Sequence, residues 1–219
     1  MNFRQKYKWL MPLLLFTGCL LVGRVIRTHS LALVFIPWNL FLAFVPLFFS
    51  YRLLKTGNKI VAAIYLVAWL VFFPNAMYII TDLFHLKKMH HVPEWYDLLI
   101  LFSAAITGVI AGYLSLHNVE RYVGKIVNGK HVEFLTLSIF LLCGYGIYLG
   151  RYLRWNSWDL IADPFSLLDD IRDDVFHPFH NKECWLLTLL FGVWLHIMYK
   201  YFKKLPVDHP ENHGPVAKF

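Results

Sequence analysis

Asp82 and His85 stand three residues apart near the end of the stretch FFPNAMYIITDLFHL, residues 72–86. Read as a helix, this stretch sets Asn75, Tyr78, Asp82 and His85 at steps of three, four and three, on one face. A carboxylate and an imidazole side by side serve as general acid and base. With a further carboxylate they become ligands suited to zinc, manganese or iron. Asp97, in the run WYDLL (95–99), is that further carboxylate. Asp82, His85 and Asp97 are therefore the candidate catalytic residues and the candidate ligands of a divalent metal. The Asp-x-x-His pattern is short and common. The competing reading is a polar network between helices, with Asp82 capping or paired to an arginine.

Arg151 and Arg154 lie one helical turn apart in GRYLRWNSWD, residues 150–159. Two guanidinium forks can grip a phosphate or carboxylate bidentately. At the end of a membrane span the anion to expect is a lipid headgroup or a phosphorylated substrate. Pairing of these arginines with Asp82, Asp97 or Asp159 accounts for the same residues without a ligand. Asn156 or Ser157 fits a cap for the next turn. Asn39, Asn75, Tyr78, Asn156 and Asp159 complete the polar set. No glycine-rich phosphate loop, HExxH, GxSxG or heptad run occurs, which argues against nucleotide-driven work within this chain.

The elements that must position these residues are membrane spans. Hydrophobic residues make up 58% of the 219 and charged residues 16%, against about 45–50% and about 25% in soluble proteins. The apolar residues come in long blocks separated by charged stretches, which reads as an all-α, polytopic helical membrane protein. The blocks fall at about 9–26, 30–51, 60–81, 95–116, 132–150 and 184–202. That is six spans, within a range of five to seven, in a single integral domain with a mobile tail at 203–219. Pro74 predicts a kink in the third span, because it has no N–H for the carbonyl four residues back. Ala104, Gly108 and Gly112 predict a close helix-packing face in the fourth. Arg24 is expected to snorkel and so extend a short first span. The rival reading of Met1–Gly23 is a cleaved signal; LFTGC ending at Cys19 resembles a lipoprotein cleavage site, with Phe16 a poor fit. Cys19, Cys143 and Cys184 have no paired spacing and read as small apolar residues.

The net charge of +7 fits loops of a membrane protein better than nucleic-acid binding, since no reader motif accompanies it. The expected partner is the lipid bilayer; protein partners are not legible. Arg4, Lys6, Lys8, Arg52, Lys55, Lys59, Arg121, Lys125, Lys130, Lys200, Lys203 and Lys204 collect on one side. Fewer positive residues collect on the other, so both termini are expected in the cytoplasm. Asp82, His85, Asp97, Arg151, Arg154 and Asp159 then all arrive at the extracytoplasmic face. The loop 151–182 belongs there too. Asp163-Pro164 reads as a helix start. Leu167, Leu168, Ile171 and Val175 then share one side, and Asp169, Asp170, Asp173 and Asp174 the other. This is a short extracytoplasmic amphipathic helix, lying on the membrane or forming a solvated lid.

Four strings together carry a resemblance: WNLFLAFVP (38–46), FFPNAMYIITDLFHL, WYDLL and GRYLRWNSWD. With them the chain resembles a bacterial family of small polytopic membrane proteins, domain of unknown function 1361. The resemblance runs from the second span through the fifth. It implies a multi-pass protein of the bacterial plasma (inner) membrane and carries no activity.

The expected function is that of an integral plasma-membrane protein with a polar Asp/His/Arg site at its extracytoplasmic face. Three classes stay open. An enzyme acting on a lipid-linked or phosphorylated headgroup needs the carboxylates and His85 to converge on one open point. A small-solute transporter or channel along Asn39, Asn75 and Tyr78 needs a polar path to the midplane. A non-catalytic subunit or scaffold predicts arginines paired to the aspartates and no open cleft.

Overall fold

The computed structural model describes residues 2–88 and 92–205; the tail beyond 205 lies outside the described residues. Six helices are long and apolar enough to cross a membrane: α1 (Phe3–Thr28), α2 (Phe35–Leu53), α3 (Lys59–Leu86), α4 (Glu94–Val123), α5 (Gly129–Leu153) and, last in the chain, α8 (Lys182–Phe202). Between α5 and α8 lie two short helices, α6 (Asp159–Ala162) and α7 (Pro164–Phe176). No strand occurs among the described residues. The chain is a polytopic helical membrane protein. Helices are the form that lets an open chain satisfy its backbone within lipid.

The axis of the bundle is α4, whose most apolar stretch is 67% buried, against 22–50% for the other five. It packs against α1, α2 and α3, while α5 pairs with α8 and also touches α3. Small residues set these approaches. A Cβ on Gly108 would lie 2.6 Å from Ile79 Cγ2 on α3, and one on Gly144 would lie 2.6 Å from Thr188 O on α8. The face of Ala104, Gly108 and Gly112 is thus a packing face, as its spacing predicts. α4 runs two turns past its expected end because its polar extension is buried. Asn118 Nδ2 donates to Tyr7 Oη at 2.8 Å and to Ser50 Oγ at 3.1 Å.

Arg24 does not snorkel. It is fully buried, with Nε 2.6 Å from Asp97 Oδ1 and Nη2 3.3 Å from Oδ2. The ion pair ties α1 to α4, and Thr17 Oγ1 adds a hydrogen bond to Ser103 Oγ at 3.0 Å.

Two local departures from α-geometry shape the functional end. Past Tyr78, α3 tightens into a 3-10 helix over Ile79–Lys88. With three residues per turn, Asp82 and His85 stack on one face. The end of α5 instead widens into a π-turn over Leu149–Leu153. It stops at Arg154, whose φ of 64° is left-handed. There Trp155 N–H donates to Leu149 O at 3.1 Å, closing the end. α7 starts as expected, with Asp163 Oδ1 accepting from Ser166 N–H at 3.3 Å and Pro164 in the first turn.

Candidate functional site

A cleft of about 430 Å³ opens at this end of the bundle, between α2, α3, the end of α5 and α7. Its polar end holds Asn39, Asp82, His85 and Arg151; Leu42, Leu70, Val71, Leu149 and Leu167 are among its apolar walls. Asp82 is 2% exposed, and its Oδ2 accepts from Asn39 Nδ2 at 2.7 Å. His85 Nδ1 lies 3.2 Å from Asp82 O, and its ring centroid lies 5.0 Å from that of Phe35. A nitrogen bonded to a carbonyl oxygen carries the proton, so Nε2 is the basic nitrogen of the neutral ring.

Arg151 reaches the cleft from the π-turn, its guanidinium carbon 5.3 Å from the centroid of Phe84. It makes no ion pair within 4 Å among the described residues. The result is a buried carboxylate, an imidazole and an arginine facing one open space. Such a set can bind an anion and move a proton beside it.

Pro74 leaves α3 short of one N–H, and the loop after α5 docks on that segment. Ser157 Oγ accepts from Asn75 Nδ2 at 2.9 Å and donates to Val71 O at 3.2 Å. Asn75 Nδ2 also donates to Phe72 O at 3.1 Å. Ser157 is therefore a clasp between the loop and the span, not merely a cap. Tyr78 lines the cleft opposite Gly150, where a Cβ would meet its ring at 3.1 Å.

Asp97 does not join Asp82 and His85. It heads the row of Leu101, Ala104 and Gly108, steps of four, three and four, so it shares the packing face and turns toward α1. Arg154 is exposed and lies outside the cleft lining, because the left-handed residue ends the helix before a second turn can align it with Arg151. Asp159 is occupied locally, accepting from Asn156 N–H at 2.7 Å and Asn156 Nδ2 at 3.3 Å. Asn156 itself lines the cleft.

No group of three or more His, Cys, Asp or Glu side chains suited to a metal occurs among the described residues. Asp82 and His85 alone fall short of the three protein ligands of a catalytic zinc site. Among the described residues, the donor set of the cleft does not complete such a site.

A family model described as "Protein of unknown function (DUF1361)" matches residues 38–198. The matched stretch contains Asn39, Asp82, His85, Arg151 and Ser157. No curated protein and no solved structure matches the chain.

Proposed function

We propose a function for this chain, which belongs to the DUF1361 family of proteins of unknown function, from its cleft: it binds the anionic headgroup of a membrane amphiphile. The observation that carries this reading is the union, in one open cleft, of Arg151, Asp82 and His85 with a long apolar wall. Leu70 lies twelve residues before Asp82 on the same helix, roughly 20 Å at about 1.5 Å per residue as far as Tyr78 and about 2.0 Å beyond it. That length suits a headgroup with the start of its acyl or isoprenoid chain. Arg151 contacts the anion, and Asp82 with His85 is placed to move a proton at the headgroup. Leu42, Leu70, Val71 and Leu149, which wall the cleft around Asn75 and Tyr78, favour this over a solute pathway. An arginine with no ion-pair partner among the described residues favours it over a purely structural network.

The proposed location is the bacterial plasma membrane, with both termini cytoplasmic and the cleft extracytoplasmic. Its support is the excess of Lys and Arg in the loops at the opposite end. Lipid retention by the purified protein tests the reading. Native mass spectrometry should find a phosphate-bearing lipid on the wild type and lose it in Arg151→Ala. Equal retention by a correctly folded Arg151→Ala would overturn it.

A further inference from the structure

α7 has three faces rather than two. Leu167 and Asp174 are buried against the protein, with Asp170 and Ile171 half-buried beside them. The two aspartates on this inner face are hooks: Asp170 Oδ2 accepts from Trp155 Nε1 at 2.8 Å, and Asp174 Oδ2 from Tyr145 Oη at 2.9 Å. This corrects the expected two-sided pattern. Leu167 and Ile171 part from Leu168 and Val175, and Asp170 and Asp174 part from Asp169 and Asp173.

The second face is apolar and uncovered. Phe165, Leu168, Val175 and Phe176 follow one another around the helix, and Phe165 and Phe176 are 79% and 71% exposed. The third face is acidic, with Asp169 and Asp173 exposed. A helix with one side on protein, one apolar side and one charged side belongs at the corner where protein, lipid and water meet. A contiguous apolar patch of this kind marks an interaction surface when it is found outside a core.

We propose that α7 is seated in the membrane interface, with Phe165, Leu168 and Phe176 immersed in the leaflet at the cleft's end of the bundle. The occupant of its apolar face is lipid, because Tyr145 of the span α5 and Trp155 just past its end hold α7 against the end of the membrane-spanning bundle. Trp38, exposed on α2, lies 6.4 Å ring to ring from Trp158 beside α6. Arg172 sits within the apolar arc, its guanidinium carbon 5.9 Å from the centroid of Phe176. A long arginine there reaches the phosphates while its stem stays with the acyl chains. Leu167 and Ile171 also line the cleft. Seating α7 in the interface therefore sets the cleft mouth at headgroup depth. The inference rests on the chain spanning a membrane and not on what the cleft binds.

Nitroxides at Leu168→Cys, Phe176→Cys and Asp169→Cys test it, in a background with the exposed Cys19 replaced by Ser. The protein is held in nanodiscs of phosphatidylethanolamine and phosphatidylglycerol. At positions 168 and 176 collisions with oxygen should exceed those with a water-soluble nickel chelate several-fold, and at 169 the order should reverse. Nickel access at all three positions would overturn the proposal in favour of a solvated lid. Spin–spin broadening at 168 and 176 would overturn it in favour of a second copy of the chain. Loss of lipid binding at the cleft would leave all these readings unchanged, so the two proposals fail separately.

Discussion

Arg24 Nε lies 2.6 Å from Asp97 Oδ1, and the two side chains are 0% and 1% exposed. The first span is thus bound to the central helix by an ion pair sealed from water and lipid. Removing one partner leaves a buried charge, at a cost of about 3–5 kcal/mol. Arg24→Ala or Asp97→Ala should each lose that much in denaturant unfolding. The double variant Arg24→Leu/Asp97→Leu should regain most of it, because no charge is then stranded. A double variant as unstable as the sum of the two singles would contradict the pairing.

Arg151 and Arg154 should separate in function. A charge-assisted hydrogen bond is worth about 1.5–3 kcal/mol, so Arg151→Ala should weaken binding of a phosphate-bearing lipid by about tenfold or more. Arg151→Lys should recover part of this, since it keeps the charge and loses the fork. Arg154→Ala should bind as the wild type does. Unfolding of Arg154→Ala should stay within about 0.5 kcal/mol of wild type, as for a surface position, and Arg151→Ala should lose no more than about 1 kcal/mol with its Phe84 contact. Titration with phosphatidylglycerol in detergent reads the difference, and equal losses from both arginines would refute the assignment.

The spans were legible because hydropathy is a property of contiguous sequence, and lipid allows the backbone few alternatives. Their ends were less so. The third block reads as 60–81, yet the 3-10 segment carries α3 through Leu86. The fourth reads as 95–116, yet buried Asn118 holds two more turns in place. Partner choice was the part the residues did not disclose. Arg24 and Asp97 lie 73 residues apart, and no local periodicity encodes such a pairing. Asp97 did carry a signal, its place at the head of the Leu101, Ala104 and Gly108 row. Asp82 and His85 stay on one face because steps of three suit the 3-10 turn as well as the α-helix. Arg154 leaves the cleft because a left-handed residue ends the helix, which arginine in that position does not announce. Ser157 was visible only as a cap, because its partners Asn75 and Val71 lie more than eighty residues earlier in the chain.

Two glycines should respond oppositely to the same substitution. Gly144→Ala places a Cβ 2.6 Å from Thr188 O and 3.1 Å from Thr188 Cα, backbone atoms that move only if α5 and α8 separate. A loss of about 1–3 kcal/mol is expected, as for overpacking elsewhere. Gly18→Ala meets nothing within 4 Å and lies inside α1. It should be neutral or stabilising by up to about 1 kcal/mol, from helix propensity alone. Thermal unfolding of the two variants side by side checks this. A neutral Gly144→Ala would show that the α5–α8 contact is looser than described.

The corner between α7 and α8 should loosen in acid. Asp173 Oδ2 accepts from Asn181 Nδ2 at 3.3 Å, and Asp173 Oδ1 lies 2.8 Å from His177 Nδ1. The Asn181 hydrogen bond first, and His177 second, hold the Asp173 carboxyl below its ordinary value of 3.8. A carboxyl that binds its proton less readily in the folded state stabilises that state above the ordinary value. The contribution is lost as pH falls through the lowered value. Both side chains are exposed, so the effect is local. Amide hydrogen exchange, corrected for the intrinsic pH dependence, should show protection near residues 177–181 falling between pH 6 and pH 3. Asp173→Asn, which has no proton to gain, should show weaker protection at pH 6 and little further loss at pH 3. An unchanged acid response in that variant would assign the loosening to another carboxylate, with Asp174 on the neighbouring face the first to examine.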